Sequence, residues 1–214
     1  MKKDLISIKD LTVGEIAGIL ALTDRLKAGS AAFSQALKGK NIALVFQKPS
    51  NRTRVSFEVG MYQLGGLAVY LGPSEINLGV RESIHDVAKT LSRYVSEVVL
   101  RTFEHQNVIE MAKFAGIPII NGLSDLSHPC QALADIYTVK EKLGKLKGLK
   151  LAYIGDGNNV CHSLLYACSK MGMDISVASP KVYECQVSVV KESKAFAKNS
   201  GSSVFMTNKP EDAA

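Results

Sequence analysis

The sequence predicts an α/β protein made of two doubly wound parallel-sheet units, with helices on both faces of each sheet and the second unit incomplete. Three observations carry that expectation. Short continuous apolar runs recur along the chain, of which "NIALVF" at 41–46 is the clearest, as in strands buried on both faces. Helical patterns separate these runs, and a sustained strand–helix alternation favours parallel sheets joined by helical crossovers. The 214 residues are 46% hydrophobic and 21% charged, enough for a sizeable core in one large domain or two small ones.

Each element has its own local reason. Thr12 and Glu15 form a capping box that opens a helix, with Ile16, Ile19, Leu20 and Leu26 on the face expected to be buried. Strands are expected at 41–46, 67–71, 97–102, 116–122, 149–155, 174–180 and 203–208. Between them the helical pattern predicts Thr53 to Leu64, Ser83 to Tyr94, Asn107 to Ala115, Pro129 to Leu143, Asn159 to Met171 and Tyr183 to Asn199. The stretch "GKLKGLK" after Leu143 reads as a seam, and "KPEDAA" as the opening of another helix. The predicted division is therefore 1–128, a connecting helix and linker at 129–147, and a partial second domain at 148–214.

Composition narrows the function classes. Lys and Arg total 26 against 20 Asp and Glu, a net charge of +6 that suits phosphorylated metabolites as well as nucleic acid. The basic residues are scattered, and the dense run "KEKLGKLKGLK" flanks a helix end where lysines are ordinary. No aromatic–basic pattern suggests nucleic-acid binding. No apolar run reaches the roughly 18 to 20 residues of a membrane span, and acidic residues come too early in "MKKDLISIKDLTVGE" for a secretory signal, so the expectation is a cytoplasmic protein. Cys130, Cys161, Cys168 and Cys185 form neither a C-x-x-C pair nor a zinc-finger spacing, and read as reduced thiols. Cys161 and Cys168, seven apart on one helix, are expected to be buried.

The segment "FQKPSNRTRVSFE" at 46–58 concentrates donors directly after a strand. Ser50 as N-cap leaves the amides of Asn51 to Thr53 without intrahelical acceptors, the helix dipole adds partial positive charge, and Arg52 can present a bidentate fork. An anion, phosphate above all, is the natural ligand. The same residues also fit a plain cap with arginines paired to Glu58. "IGDGNN" follows a strand, but the third glycine of a dinucleotide loop is replaced by Val160, and there is no P-loop pattern.

The 46–58 segment closely resembles the phosphate loop of the aspartate and ornithine carbamoyltransferases, a strand followed by Ser-Thr-Arg-Thr-Arg, with Asn51 standing where threonine is usual. "HPCQALAD" at 128–135 is similar to the family's His-Pro-x-Gln signature, and Arg101 matches an arginine that closes a strand. "SEINLGVRES" and "GDGNNVCHSLLYACSKMGMD" resemble the ornithine-using branch. The resemblance implies that Ser50, Asn51, Arg52, Thr53, Asn77, Arg101, His128 and Gln131 bind carbamoyl phosphate, with Arg52, Arg101 and His128 catalytic. Asn159, beside Asn158, would bind L-ornithine. It further implies citrulline and phosphate as products, a place in arginine metabolism, no metal or other cofactor, and a trimer-based homo-oligomer with shared sites. The Asn77 loop would reach into an adjacent subunit, its side chain being shorter than the Gln or His usual there. The family's later Ser-Met-Gly and Cys-Leu-Pro segments do not occur in this sequence. The alternatives are therefore a catalytically incompetent module that binds carbamoyl phosphate or phosphate, or transfer to another amine.

Overall fold

A computed structural model describes residues 3–214, which fall into two compact units. One comprises the described residues as far as Ile6 together with Ala21–Asp125; the other comprises Ser7–Leu20 and Leu126–Ala214. The first long helix, α1 (Val13–Ala28), therefore contributes to both. Its capping box forms as expected: the Thr12 amide donates to the Glu15 carboxylate at 2.7 Å, and the Glu15 amide donates to Thr12 Oγ1 at 3.2 Å. Ile16 and Leu20 are buried, but Ile19 is 37% exposed, so the buried stripe is narrower than the sequence suggests.

In the first unit, β1 (Asn41–Phe46), β2 (Leu67–Leu71), β3 (Glu97–Arg101) and β4 (Ile119–Leu123) form a parallel sheet in the order β2-β1-β3-β4. Central β1 is buried along almost its whole length, whereas edge strand β2 is not. Strand alternation divides the core between two faces. Ala43, Val45, Val98 and Leu100 pack with residues of α4 (Ile84–Leu91) and α5 (His105–Phe114). Ile42, Leu44, Phe46 and Val99 pack with Met61 of α2 (Asn51–Gln63). A short α3 (Pro73–Ile76), not foreseen from sequence, precedes α4. The β3–β4 register steps between Leu100 and Arg101, which pair with Asn121 and Leu123, so Gly122 is the extra residue of a bulge. A Cβ there would lie 3.1 Å from Val99 Cγ1.

In the second unit, α6 (Pro129–Leu143) leads to a parallel sheet in the order β5-β6-β7, with β5 (Lys150–Ile154), β6 (Asp174–Ala178) and β7 (Val204–Thr207). The helix treated as a connector in the sequence thus groups with this unit. Helix α7 (Asn159–Met171) is buried without interruption from Cys161 to Lys170 and packs on α8 (Val187–Ser200). The Lys170 ammonium donates to the Lys9 carbonyl at 2.6 Å and to that of Leu11, which satisfies the buried charge. Helix α8 begins four residues later than expected. Tyr183 is held in a turn instead, its amide donating to the Pro180 carbonyl at 3.0 Å. The short α9 (Pro210–Ala213) packs against all three strands. Among the described residues no helix is long and apolar enough to cross a membrane.

Candidate functional site

The expected site residues divide between the two units. In the first, β1 delivers the chain to the sheet's carboxyl edge, where ligands of open α/β sheets gather. Ser50 is the N-cap of α2, in extended backbone, and its Oγ accepts from the Thr53 amide at 3.3 Å. Asn51 and Arg52 are exposed in the first helical turn, where amides lack intrahelical acceptors. Phe46 of β1 pairs with Arg101 of β3, so Arg101 ends its strand beside the loop. Its Nη1 donates to Thr53 Oγ1 at 3.5 Å, across 48 residues of sequence. Its Nε is buried with no hydrogen-bond partner among the described residues, and burial lowers the guanidinium's pKa. Ser50, Thr53 and Arg101 thus come together.

Arg54 makes the Glu58 ion pair at 3.0 Å and lies 3.7 Å above the Tyr70 ring. Arg52 takes no part in that pair and stays exposed. Asn77 is exposed on its loop in a left-handed conformation, which asparagine tolerates better than most residues. That loop is tethered: Gln47 Nε2 donates to the Leu78 carbonyl at 2.8 Å, while Gln47 Oε1 accepts from the Thr102 hydroxyl. Asn107 completes the group by donating to Thr102 Oγ1 at 2.9 Å. His105 is occupied structurally, its Nδ1 lying 2.7 Å from Ser124 Oγ.

In the second unit, His128 is the N-cap residue of α6, with Pro129 at the first helical position, where a missing amide costs nothing. The His128 amide donates to Ser163 Oγ at 2.8 Å, and that hydroxyl donates to the Asn159 carbonyl at 2.8 Å. Ser163 is fully buried and joins the backbones of two expected site residues 31 positions apart, from His128 to Asn159. Nothing in the sequence marks it, since a serine within an apolar helix reads as background.

Gln131 is exposed, and its Nε2 donates to Asp135 Oδ1 at 2.8 Å, leaving Oε1 as the end that can accept an N–H. Burial raises the Asp135 pKa, and the Gln131 bond opposes that rise. Asn158 is committed to capping α7: its Oδ1 accepts from the amides of Val160 at 2.9 Å and Cys161 at 3.2 Å. Asn159 follows as the first, half-buried helical residue. Gly157 has a structural reason of its own. A Cβ there would lie 2.2 Å from the Cys185 amide nitrogen, so a close backbone approach explains the glycine without a dinucleotide. Among the described residues no three His, Cys, Asp or Glu side chains are grouped to hold a metal ion.

Residues 3–141 match the model for the carbamoyl-P binding domain of aspartate/ornithine carbamoyltransferase, and residues 147–214 match its Asp/Orn binding domain. The chain is 53% identical over 211 residues to the ornithine carbamoyltransferase of Bacillus subtilis (strain 168), covering 99% of this chain and 66% of that protein. With the Anoxybacillus flavithermus ornithine carbamoyltransferase the identity is 51%, covering 99% and 68%. The ornithine carbamoyltransferase structure from Pyrococcus furiosus superposes with a TM-score of 0.96 at 46% identity, covering 99% of this chain and 68% of that one. The Gloeobacter violaceus structure gives 0.92 at 43%, covering 100% and 71%. The chain spans about two thirds of the length of these curated relatives. On domain matches that together cover nearly all of it, the chain belongs to the aspartate/ornithine carbamoyltransferase family.

Proposed function

We propose that the protein transfers the carbamoyl group of carbamoyl phosphate to the side-chain amine of L-ornithine, giving L-citrulline and phosphate. The uncharged amine attacks the carbonyl carbon, negative charge develops on the carbonyl oxygen, and the C–O bond to phosphate breaks. Fixed donors are what such a transition state requires. Ser50, the amides of Asn51 to Thr53, Arg52 and Arg101 hold the phosphate. Arg101 and His128 face the carbonyl oxygen, Gln131 accepts from the carbamoyl amide through Oε1, and Asn159 binds ornithine. Asn77 takes part through an adjacent subunit of a trimer-based homo-oligomer. The names of the relatives support ornithine as acceptor.

The observation that carries this reading is the meeting of Arg101 with Thr53 at the start of α2, with a buried guanidinium Nε that has no protein acceptor among the described residues. An anion would offset the desolvation that burial imposes on that cation. The test is citrulline formation by the purified chain and its variants. Removing one such donor raises a barrier by about 3 to 4 kcal/mol, so Arg52→Ala and Arg101→Ala should each lower the rate by roughly 10²- to 10³-fold. His105→Ala should leave it nearly unchanged. An undiminished rate in Arg52→Ala would overturn the phosphate assignment. Carbamoyl phosphate binding with no turnover in the unmutated chain would indicate a binding module instead.

A further inference from the structure

The first turn of α7 meets the segment that precedes α8 at a pair of sulfurs. Cys161 Sγ lies 3.3 Å from Cys185 Sγ, the two residues being 24 apart in sequence, and both are buried. Both thiols are free. A disulfide bond is about 2.05 Å long, so closure requires an approach of roughly 1.3 Å. That approach would draw the segment carrying Cys185 toward the first turn of α7. Residues 181–184 are exposed on its outer side, with Val182 88% exposed and in a left-handed conformation (φ +67°) unfavourable for a β-branched side chain. On the inner side it is pinned by two hydrogen bonds, from the Gly157 amide to the Tyr183 carbonyl at 2.6 Å and from the Gln186 amide to His162 Nε2 at 3.2 Å.

We propose that Cys161 and Cys185 are a peroxide-responsive dithiol that closes reversibly to a disulfide, fastening residues 180–186 to the first turn of α7. Cys185 is the attacking sulfur. Its thiolate attacks one peroxide oxygen, the O–O bond breaks, and the departing hydroxide takes a proton to become water, leaving a sulfenic acid. The Cys161 sulfur then attacks the sulfenic sulfur, the S–O bond breaks, and a second water leaves. Two thiols and one peroxide thus give one disulfide and two waters, and a thiol reductant reverses the change.

The surroundings fit that division of labour. The Cys161 thiol donates to Cys185 and stabilises its thiolate, lowering its pKa, while burial opposes. The same bond, together with burial, raises Cys161. Besides His162, the other titratable groups near the pair are Tyr153, Asp156 and Cys168: Asp156 and Cys168 disfavour a thiolate on Cys161, and Cys161 and Cys185 in turn raise the Tyr153 hydroxyl. The remaining cysteines are held as thiols: burial pushes Cys130 and Cys168 each up to about 12. Low thiolate character makes them slow to react with peroxide.

The experiment is independent of carbamoyl transfer. The reduced, folded chain is treated with hydrogen peroxide, its remaining thiols are alkylated, and its peptides are weighed. The expected product is one cross-linked pair containing Cys161 and Cys185, two hydrogens lighter than the separate peptides and undone by dithiothreitol. Cys168→Ser should still form it. Cys161→Ser should instead stop at a sulfenic acid on Cys185 that dimedone traps. Oxidation of the unmutated chain should stay fast below the pH of about 8.5 at which an ordinary thiol slows. Full alkylation of both Cys161 and Cys185 after peroxide, or prior oxidation of Cys130 or Cys168, would overturn the proposal.

Discussion

Helices α2 and α7 both begin directly after a parallel strand and a polar N-cap, yet the two starts are used differently. Ser50 makes a single cap bond to the Thr53 amide, and α2 buries only Met61. Asn158 caps twice, and α7 buries ten consecutive residues behind it. A helix start whose donors are absorbed by its own cap, on a helix enclosed by protein, serves architecture. One whose donors stay open on a polar, half-exposed helix is the start to which the proposed function assigns a ligand. The second unit therefore spends hydrogen bonds on holding Asn159 and His128 in place, and the first unit leaves them available for an anion.

Mutations can break or sharpen that contrast. The largest structural effect is expected from Gly157→Ala, whose Cβ meets the Cys185 amide nitrogen at 2.2 Å and the Glu184 carbonyl carbon at 2.5 Å. Backbone has no rotamer with which to yield, so the second unit should lose about 3 kcal/mol in denaturant unfolding. Ser163→Ala comes next. It strands the His128 amide and should cost about 2 kcal/mol, visible also as faster hydrogen exchange at that amide. Ser50→Ala and Asn158→Ala each remove a cap and should each cost about 1 kcal/mol. They should differ in binding: only Ser50→Ala should weaken carbamoyl phosphate in calorimetry. Equal weakening by both would erase the distinction between the two helix starts.

The smallest effect concerns pH. The Lys9 ammonium, 2.8 Å away, and then the Tyr166 hydroxyl hold the Glu192 carboxyl below its ordinary pKa. A carboxylate lowered on folding stabilises the protein above its unfolded pKa, and that contribution is lost as pH falls through the folded value. Glu192→Gln should therefore melt below the unmutated chain at neutral pH, with the gap closing in acid. Because the pair is partly exposed, the gap should stay below about 1 kcal/mol.

How much of this was legible depends on whether the cause was local. Strand β1, α6 and α7 lie at their expected limits because apolar runs and end signals, Pro129 and Asn158 among them, are properties of short sequence. Ser50 as a cap is equally local. Ile19 is exposed because burial depends on what packs opposite, which no periodicity reports. Helix α8 starts late because Tyr183 serves Gly157, 26 residues earlier. Ser163, the Gln47–Thr102–Asn107 group and the Cys161–Cys185 contact were invisible for the same reason. Each is defined by partners that only the fold brings near.

The bulge at Gly122 has a further consequence. A strand obeys a parity rule: adding one residue exchanges its inward and outward sides. The step between Leu100 and Arg101 already absorbs one such residue, so the chain beyond it is out of phase with the layer of apolar side chains before it. The chain after Leu123 then leaves the sheet under its own ties: the Asp125 amide donates to the Phe103 carbonyl at 2.8 Å, and the Asp125 carboxylate accepts from the His105 amide at 2.8 Å. One inserted residue in β4 thus sets where the connection toward His128 starts, beside the strand that Arg101 terminates.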